Sequence, residues 1–275
     1  MKKHCYRLAR LGSPAVVLTL LLAALGGCAT HARKPATNTS FSFDVGNAVV
    51  RAEVLQRGSP RPTMINVHDD ENTSVEAGKT IIRESGGRLI ELAHGGRRRV
   101  AFELDGGQYS FDPNRIFSGA GIARTLGQSG KDASAAQQAV QRFAREFLAR
   151  FALDREPVII ALHNTGGGGL SINSYLPDGE SNLIAAAVQA GQPDRPGNFF
   201  YVTDQRFFDY LKPRGYNVIL QDNSRVTDDG SLSVYFARKN IPYLNIEAAR
   251  GHLDEQIKMV RCAVAMVNEI IFRQQ

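Results

Sequence analysis

Val158-Ile-Ile-Ala-Leu-His-Asn-Thr-Gly-Gly-Gly-Gly169 decides the fold. Five consecutive apolar residues leave no polar face. That is the pattern of a strand buried on both sides in the middle of an α/β sheet. His163 follows the run, and the glycines behind it allow a ligand close to the backbone. The glycine run lacks the Lys-Ser/Thr of a phosphate loop and no helical pattern follows at once, which argues against nucleotide binding. Two other apolar runs end the same way. Met64-Ile-Asn-Val67 precedes His68-Asp-Asp-Glu71, and Pro242-Tyr-Leu-Asn-Ile246 precedes Glu247. In an open α/β sheet, ligands bind in the crevice beyond the strand ends. Residues far apart in the chain can therefore converge there.

Outward from these strands, apolar periodicity alternates between two and three-to-four. Phe41 to Gln56 has period two and reads as early strands. Thr73 to Glu84 reads as a helix ended by Gly86-Gly87. Arg88–Ala93 and Arg99–Leu104 read as strands joined by His94-Gly-Gly. Asp132 to Phe151 carries Ala136, Val140, Phe143, Phe147 and Phe151 on one helical face, with Asp132 or Ser134 as cap. Asn182–Ala190 reads as a second helix and Asp204–Leu211 as a third, capped by Thr203 or Asp204 and stopped by Pro213. Tyr216–Leu220 reads as a strand and His252–Phe272 as a long closing helix. Such alternation predicts a single three-layer α/β/α domain around a mixed, mostly parallel twisted sheet.

The first residues read as an export signal. Lys2, Lys3, Arg7 and Arg10 form a positive start, and Ala15 to Leu25 is an apolar core too short to span a bilayer. Leu25-Gly-Gly-Cys28 resembles the lipobox of bacterial lipoproteins, which implies cleavage before Cys28 and acylation of its thiol. Ala29 follows, with no aspartate there, and by that resemblance sorting is to the outer membrane. The expected organisation is signal peptide 1–27, lipidated cysteine and flexible tether 28–40, and catalytic domain 41–275. The whole chain holds 33 Lys+Arg against 27 Asp+Glu. Loss of residues 1–27 removes four basic and no acidic side chains and leaves a net +2. That excludes the footprint of a nucleic-acid binder. Cys5 leaves with the signal and Cys28 is acylated, so Cys262 stands alone and an internal disulfide is ruled out.

The chemistry lies in four ordered segments: His68-Asp-Asp-Glu71, Asn114-Arg115, His163 and Glu247. Two imidazoles and a carboxylate supply three metal ligands, and a second carboxylate supplies a base, the parts a catalytic zinc needs. Asp69 and Asp70 are alternative ligands to Glu71 on residue type alone. Arg115 beside Asn114 offers a bidentate grip on a carboxylate with an extra amide donor. Asp112-Pro-Asn also makes a turn. Glu247 at a strand end is placed to take a proton if a partly dry pocket tunes its pKa.

This ordered set resembles the zinc carboxypeptidase family, the funnelins. Their pattern is H-x-x-E, an Asn-Arg pair inside D-x-N-R-x-F, one His after a central strand, and a Glu after the penultimate strand. Here it reads His68/Glu71, Asp112-Pro-Asn-Arg-Ile-Phe117, His163 and Glu247. The resemblance covers Pro62 to the C-terminus. It implies one Zn²⁺ held by His68, Glu71 and His163, Glu247 as the general base, and Asn114 and Arg115 on the terminal carboxylate of the substrate. It also implies that Leu232 falls near the floor of the side-chain pocket. Two departures stand out. The family's oxyanion-binding Arg could be Arg97, Arg98 or Arg99. Its mobile Tyr has no match, and Arg225 falls near that place.

The compact size looks like bacterial murein-peptide amidases and deacylase-like members. The expected function is zinc-dependent hydrolysis of a peptide or amide bond beside a free carboxylate, at the bacterial envelope. Two alternatives are an aspartoacylase-like amidohydrolase of N-acyl amino acids and a lipoprotein that keeps the fold only to bind. An intact base at Glu247 argues against the last.

Overall fold

The computed structural model describes residues 34–126, 133–166 and 170–273. The readings on the export segment 1–27, Cys28, Asp132 and Gly167 to Gly169 lie outside the described residues. In chain order the elements are β1 (Thr37–Val45), β2 (Ala48–Arg57), β3 (Thr63–Asn66), α1 (Asn72–Ser85), β4 (Gly87–Ala93), β5 (Val100–Leu104), β6 (Gly107–Phe111), α2 (Gly119–Leu126), α3 (Ser134–Arg150), β7 (Ile159–Thr165), β8 (Ala185–Ala190), β9 (Phe199–Val202), α4 (Gln205–Leu211), β10 (Asn217–Gln221), α5 (Leu232–Arg238), β11 (Tyr243–Ala249) and α6 (Leu253–Val267). Among the described residues no helix is long and apolar enough to cross a membrane.

Among the described residues nine strands form one mixed sheet in the order β1-β2-β4-β3-β7-β11-β9-β10-β8, and β5 pairs with β6 as a separate hairpin. The central strands β4, β3, β7 and β11 run parallel. Antiparallel pairings flank them on both sides. The sheet divides two cores, as the alternation of side chains along a strand requires. In β7, Ile159 and Ala161 enter the core beneath α2, α3 and α5, while Ile160 and Leu162 enter the core beneath α1, α4 and α6. The α3 face is aromatic: Phe143 and Phe147 pack edge-on against Phe43 at 5.6 and 6.2 Å. Such contacts add about 0.5–1.5 kcal/mol each beyond burial. This is the three-layer domain expected from the alternating pattern.

Chain direction places the site. From β3 the chain leaves through α1 on one face and enters β4; β7, on the other side of β3, is reached through α3 on the opposite face. The order reverses between β3 and β7. That is the topological switch point where open α/β sheets leave a crevice.

Several sequence expectations are corrected. Asn182–Ala190 is not a helix. After a single turn, Ala185–Ala190 is the edge strand β8, paired antiparallel to β10 with Asn217 opposite Ala190. Its alanines favour helix locally, but the open edge of β10 and a small core around Tyr175, Phe199, Tyr201 and Ile219 decide otherwise. His163 and Glu247 lie inside β7 and β11 rather than after them. β1 begins at Thr37, so the last residues of the expected tether are strand. Ala133 occupies the cap position of α3, and Ser134 is its first helical residue. α6 changes to a wider turn over Asn268–Phe272, where the Arg273 N–H reaches the Asn268 carbonyl.

Candidate metal centre

β3 delivers His68 to the crevice, and three residues later Glu71 stands at the N-cap of α1. The α1 start is fixed from the neighbouring strand: Asn164 Oδ1 in β7 accepts from Ser74 N at 3.0 Å. Asn164 Nδ2 in turn donates to Gln256 Oε1 of α6 at 2.7 Å, and Gln256 Nε2 donates to the His163 carbonyl at 2.8 Å. A buried amide network therefore ties the helix bearing Glu71 to the strand bearing His163. Gly78 lets α1 lie close on the sheet. A Cβ there would come within 2.7 Å of Leu162 Cδ1.

The three expected ligands meet. His68 Nδ1 lies 2.9 Å from Glu71 Oε1 and 3.1 Å from His163 Nδ1, which is itself 2.9 Å from Glu71 Oε2. All three residues are buried. Ligand atoms of a tetrahedral zinc, bound at 2.0–2.2 Å, stand about 3.3 Å apart. The observed triangle is slightly tighter, and its two-nitrogen, one-carboxylate donor set suits that ion. Two imidazole nitrogens turned toward each other across a carboxylate are placed to share one cation. Asp69 and Asp70 are not part of the set. Asp69 accepts from the backbone of His94 and Gly96, and Asp70 pairs with Arg250 at 3.0 Å.

Asp112 completes the surroundings of His68. Its Oδ1 accepts from His68 Nε2 at 2.8 Å, so that the ring, once neutral, turns its Nδ1 lone pair to the triangle. The same oxygen accepts from Asn114 N at 2.8 Å and so starts the single turn Pro113–Arg115. Burial opposes charge on His68, but Asp112 and Glu71 outweigh it and push its pKa up to about 9. Burial likewise opposes the charge of Glu71 and Asp112. The imidazoles outweigh it, chiefly His163 at Glu71 and His68 at Asp112, so both carboxyls sit below their ordinary range.

Glu247 stands directly opposite His163 in the parallel β11–β7 register. Both have odd parity with Tyr243 and Ile159, so they face the same side of the sheet. Burial raises the pKa of Glu247, and its Oε1 accepts from Asn245 Nδ2 at 3.1 Å. One cavity of about 460 Å³ is lined by His68, Glu71, His163, Glu247, Asn114 and Arg115. Six of the residues picked from sequence thus share a single space; the seventh, Cys28, lies outside the described residues.

The structure also separates residues the sequence could not. Of the three consecutive arginines, Arg98 enters the site, 2.9 Å from Glu71 Oε1 and 3.4 Å from Asp112 Oδ2. Arg99 instead binds the Ser110 and Thr125 carbonyls. Leu232 is buried in the core below α2 and α3, and its N–H donates to Asn114 Oδ1. It does not line the cavity; Asp229, Ser231, Ser233 and Val234 do. Arg225 is exposed and pairs with Asp222. Tyr175, from the turn after β7, lines the cavity. The signal for Asp112 was available in the D-x-N-R stretch. Tyr175 and Asp229 come from loops without periodicity.

Protein-family models give no match to this chain, nor do curated protein sequences. Solved structures give likenesses. An aspartoacylase family protein from Mesorhizobium loti is 11% identical with a TM-score of 0.43, over 86% of this chain and 68% of that one. A candidate metallopeptidase from Shewanella amazonensis is 14% identical with a TM-score of 0.40, over 85% and 87%. The aminopeptidase LapA of Legionella pneumophila is 9% identical with a TM-score of 0.39; the chain spans only 58% of its length. At these levels the functional reading rests on the site geometry.

Proposed function

We propose that the protein is a zinc-dependent hydrolase of a peptide or amide bond next to a free carboxylate, a metallocarboxypeptidase or peptide amidase. The observation that carries this reading is the His68–Glu71–His163 triangle with Glu247 opposite His163, in one cavity with Asn114 and Arg115. A bound zinc would supply Lewis acidity and bring a water into the nucleophilic range at neutral pH. Glu247 would take the proton from the attacking water and return it to the leaving amine, a task helped by a carboxyl raised through burial. Arg98, beside Glu71, would offer N–H groups to the carbonyl oxygen as it gains charge. Asn114 and Arg115 would hold the substrate carboxylate and set which bond faces the base.

Location is part of the proposal. The basic start, the apolar segment and Leu25-Gly-Gly-Cys28 support export and lipid anchoring, in the outer membrane facing the periplasm. Peptidoglycan stem peptides are carboxylate-ended substrates in that compartment. The test is to incubate the zinc-loaded soluble domain with purified muropeptides and with N-acyl amino acids and to read products by mass spectrometry. Release of a terminal residue from peptides supports the reading. Cleavage of acyl-amino acids alone transfers it to an amidohydrolase, and no product from either refutes it.

A further inference from the structure

Arg115 lines two cavities. One holds the candidate metal centre. The other, of about 170 Å³, is walled by Arg99, Arg115, Arg124, Thr125, Asp112 and Asp229. Three guanidinium groups around so small a space repel one another unless anions answer them.

Two of the three have no carboxylate partner among the described residues. Arg99 donates from Nε to Ser110 Oγ at 3.1 Å, and from Nη2 to the Ser110 and Thr125 carbonyls at 2.8 and 2.6 Å. Arg124 Nη2 donates to the Asp228 carbonyl at 3.2 Å. These neutral acceptors fix the side chains and leave their charges unanswered. Nη1 of each stays without a partner among the described residues. Arg115 Nη1 donates to the Asn114 carbonyl at 2.7 Å and its Nε lies 3.5 Å from Asp229 Oδ2, so Nη2 is left over. Thr125 Oγ1 accepts from Asp112 N at 2.8 Å, which leaves its O–H to donate elsewhere.

The two carboxylates of the wall are already committed. Asp112 accepts from His68 Nε2 and Asn114 N through Oδ1 and from Arg98 through Oδ2. Asp229 accepts from Ser231 N through Oδ1 and faces Arg115 through Oδ2. What remains is a pocket of donors with an excess of positive charge. Backbone packing holds it in shape. Gly121 of α2 lies so close to the Arg115 turn that a Cβ would come within 2.6 Å of the Arg115 carbonyl oxygen. Phe117 N donates to the Gly230 carbonyl at 3.0 Å, which ties that turn to the stretch bearing Asp229. Donors fixed before a ligand arrives cost less to order when it binds.

We infer that this pocket is an anion site for a free tetrahedral oxyanion of the sulfate or phosphate class, and that its occupant competes with the substrate carboxylate for Arg115. A tetrahedral oxyanion spreads its charge over several acceptor oxygens, which suits donors that arrive from three guanidinium groups and a hydroxyl. Arg115 stands between the two cavities with one uncommitted Nη. An oxyanion that takes it weakens the grip on a carboxylate in the other cavity, and by linkage each ligand weakens the other by the same factor. The anion site stands apart from the hydrolase reading; the competition rests on it.

The test titrates sodium sulfate into the zinc-loaded protein by calorimetry, at an ionic strength held with sodium chloride. The wild type should bind sulfate with a Kd on the order of 1 mM. Arg124 is exposed on α2 and does not line the metal cavity. Arg124→Gln should therefore weaken sulfate by about tenfold, the worth of one charge-assisted contact. Sulfate held at the metal centre would be indifferent to that change. No binding by the wild type, or binding unchanged in Arg124→Gln, overturns the inference. On a carboxylate-ended peptide, sulfate should raise KM with kcat unchanged, and Arg124→Gln should need about ten times more sulfate for the same rise. A KM that sulfate leaves alone overturns the competition. If no peptide is cleaved, the hydrolase reading fails separately, and calorimetry still decides the site.

Discussion

Glu247 and His163 are register partners on adjacent parallel strands. A pairing fixed by a ladder of backbone hydrogen bonds cannot slip by one residue without turning both side chains to the opposite face. The spacing between candidate base and candidate ligand is thus a property of the sheet. Glu247→Gln keeps the shape of the side chain and its Asn245 contact but cannot accept a proton. It should bind zinc like the wild type and lose about 10²–10⁴ in turnover on any substrate the protein cleaves. An active Glu247→Gln protein removes Glu247 from the chemistry.

Zinc content is the most direct measurement on the triangle. Protein purified without chelator should carry about one zinc per chain by elemental analysis, and His68→Ala or His163→Ala should lose most of it. Binding should also release protons. In the metal-free protein His68, with its pKa raised to about 9, is held as an imidazolium by Asp112 and Glu71. Its contribution to stability is fully present below the ordinary histidine value and is lost as pH rises through about 9. A metal needs the neutral ring. Zinc affinity should therefore rise between pH 6.5 and about 9. Calorimetry in buffers of different ionisation enthalpy should show proton release across that range, and its absence would sink the His68 assignment.

Asp112→Asn tests the support of His68 apart from its ligation. The amide can rotate its NH₂ toward His68 Nε2, which would force the donor onto Nδ1, the atom that faces the triangle. Zinc affinity should fall by about 10–100-fold with little change in unfolding. An unchanged affinity means the tautomer is set elsewhere.

Gln256→Met keeps volume and removes the two contacts that link α6 to Asn164 and to the His163 carbonyl. Gln256 is fully buried, so both partners would be left short of a hydrogen bond. The expected cost is about 1–3 kcal/mol in denaturant unfolding. Weaker zinc binding should accompany it, because the strand bearing His163 is held through that bond.

Arg115→Lys separates grip from charge. It should harm substrates with a free terminal carboxylate far more than amidated ones, because the planar fork is lost and the charge is kept. Equal losses on both would make Arg115 structural.

Much of this site was legible because strands buried on both faces are apolar runs, and the polar residue that ends such a run stands out. His163 and Glu247 were found that way. What the run could not show is that β7 and β11 continue past them: a buried polar residue looks like a strand end until its partners are known. Asn182–Ala190 reads as a helix because its alanines favour one locally, and only pairing with the neighbouring β10, which no local pattern shows, makes its second half a strand. α2, α5 and β6 are too short for periodicity to register. Arg98 could not be told from Arg97 and Arg99, because which one turns inward depends on a hairpin that joins no strand of the main sheet.

The metal-facing atoms sit just after β3, in β7 and at the N-cap of α1, held by buried amides, whereas Asp229 and Tyr175 belong to irregular segments outside the sheet. The triangle and that part of the cavity wall therefore belong to separable parts of the fold. Exchanging the stretch around Asp228–Ser231 should reshape one wall of the cavity, and the Asn114–Phe117 turn packed on it, while the His68–Glu71–His163 triangle stays as it is.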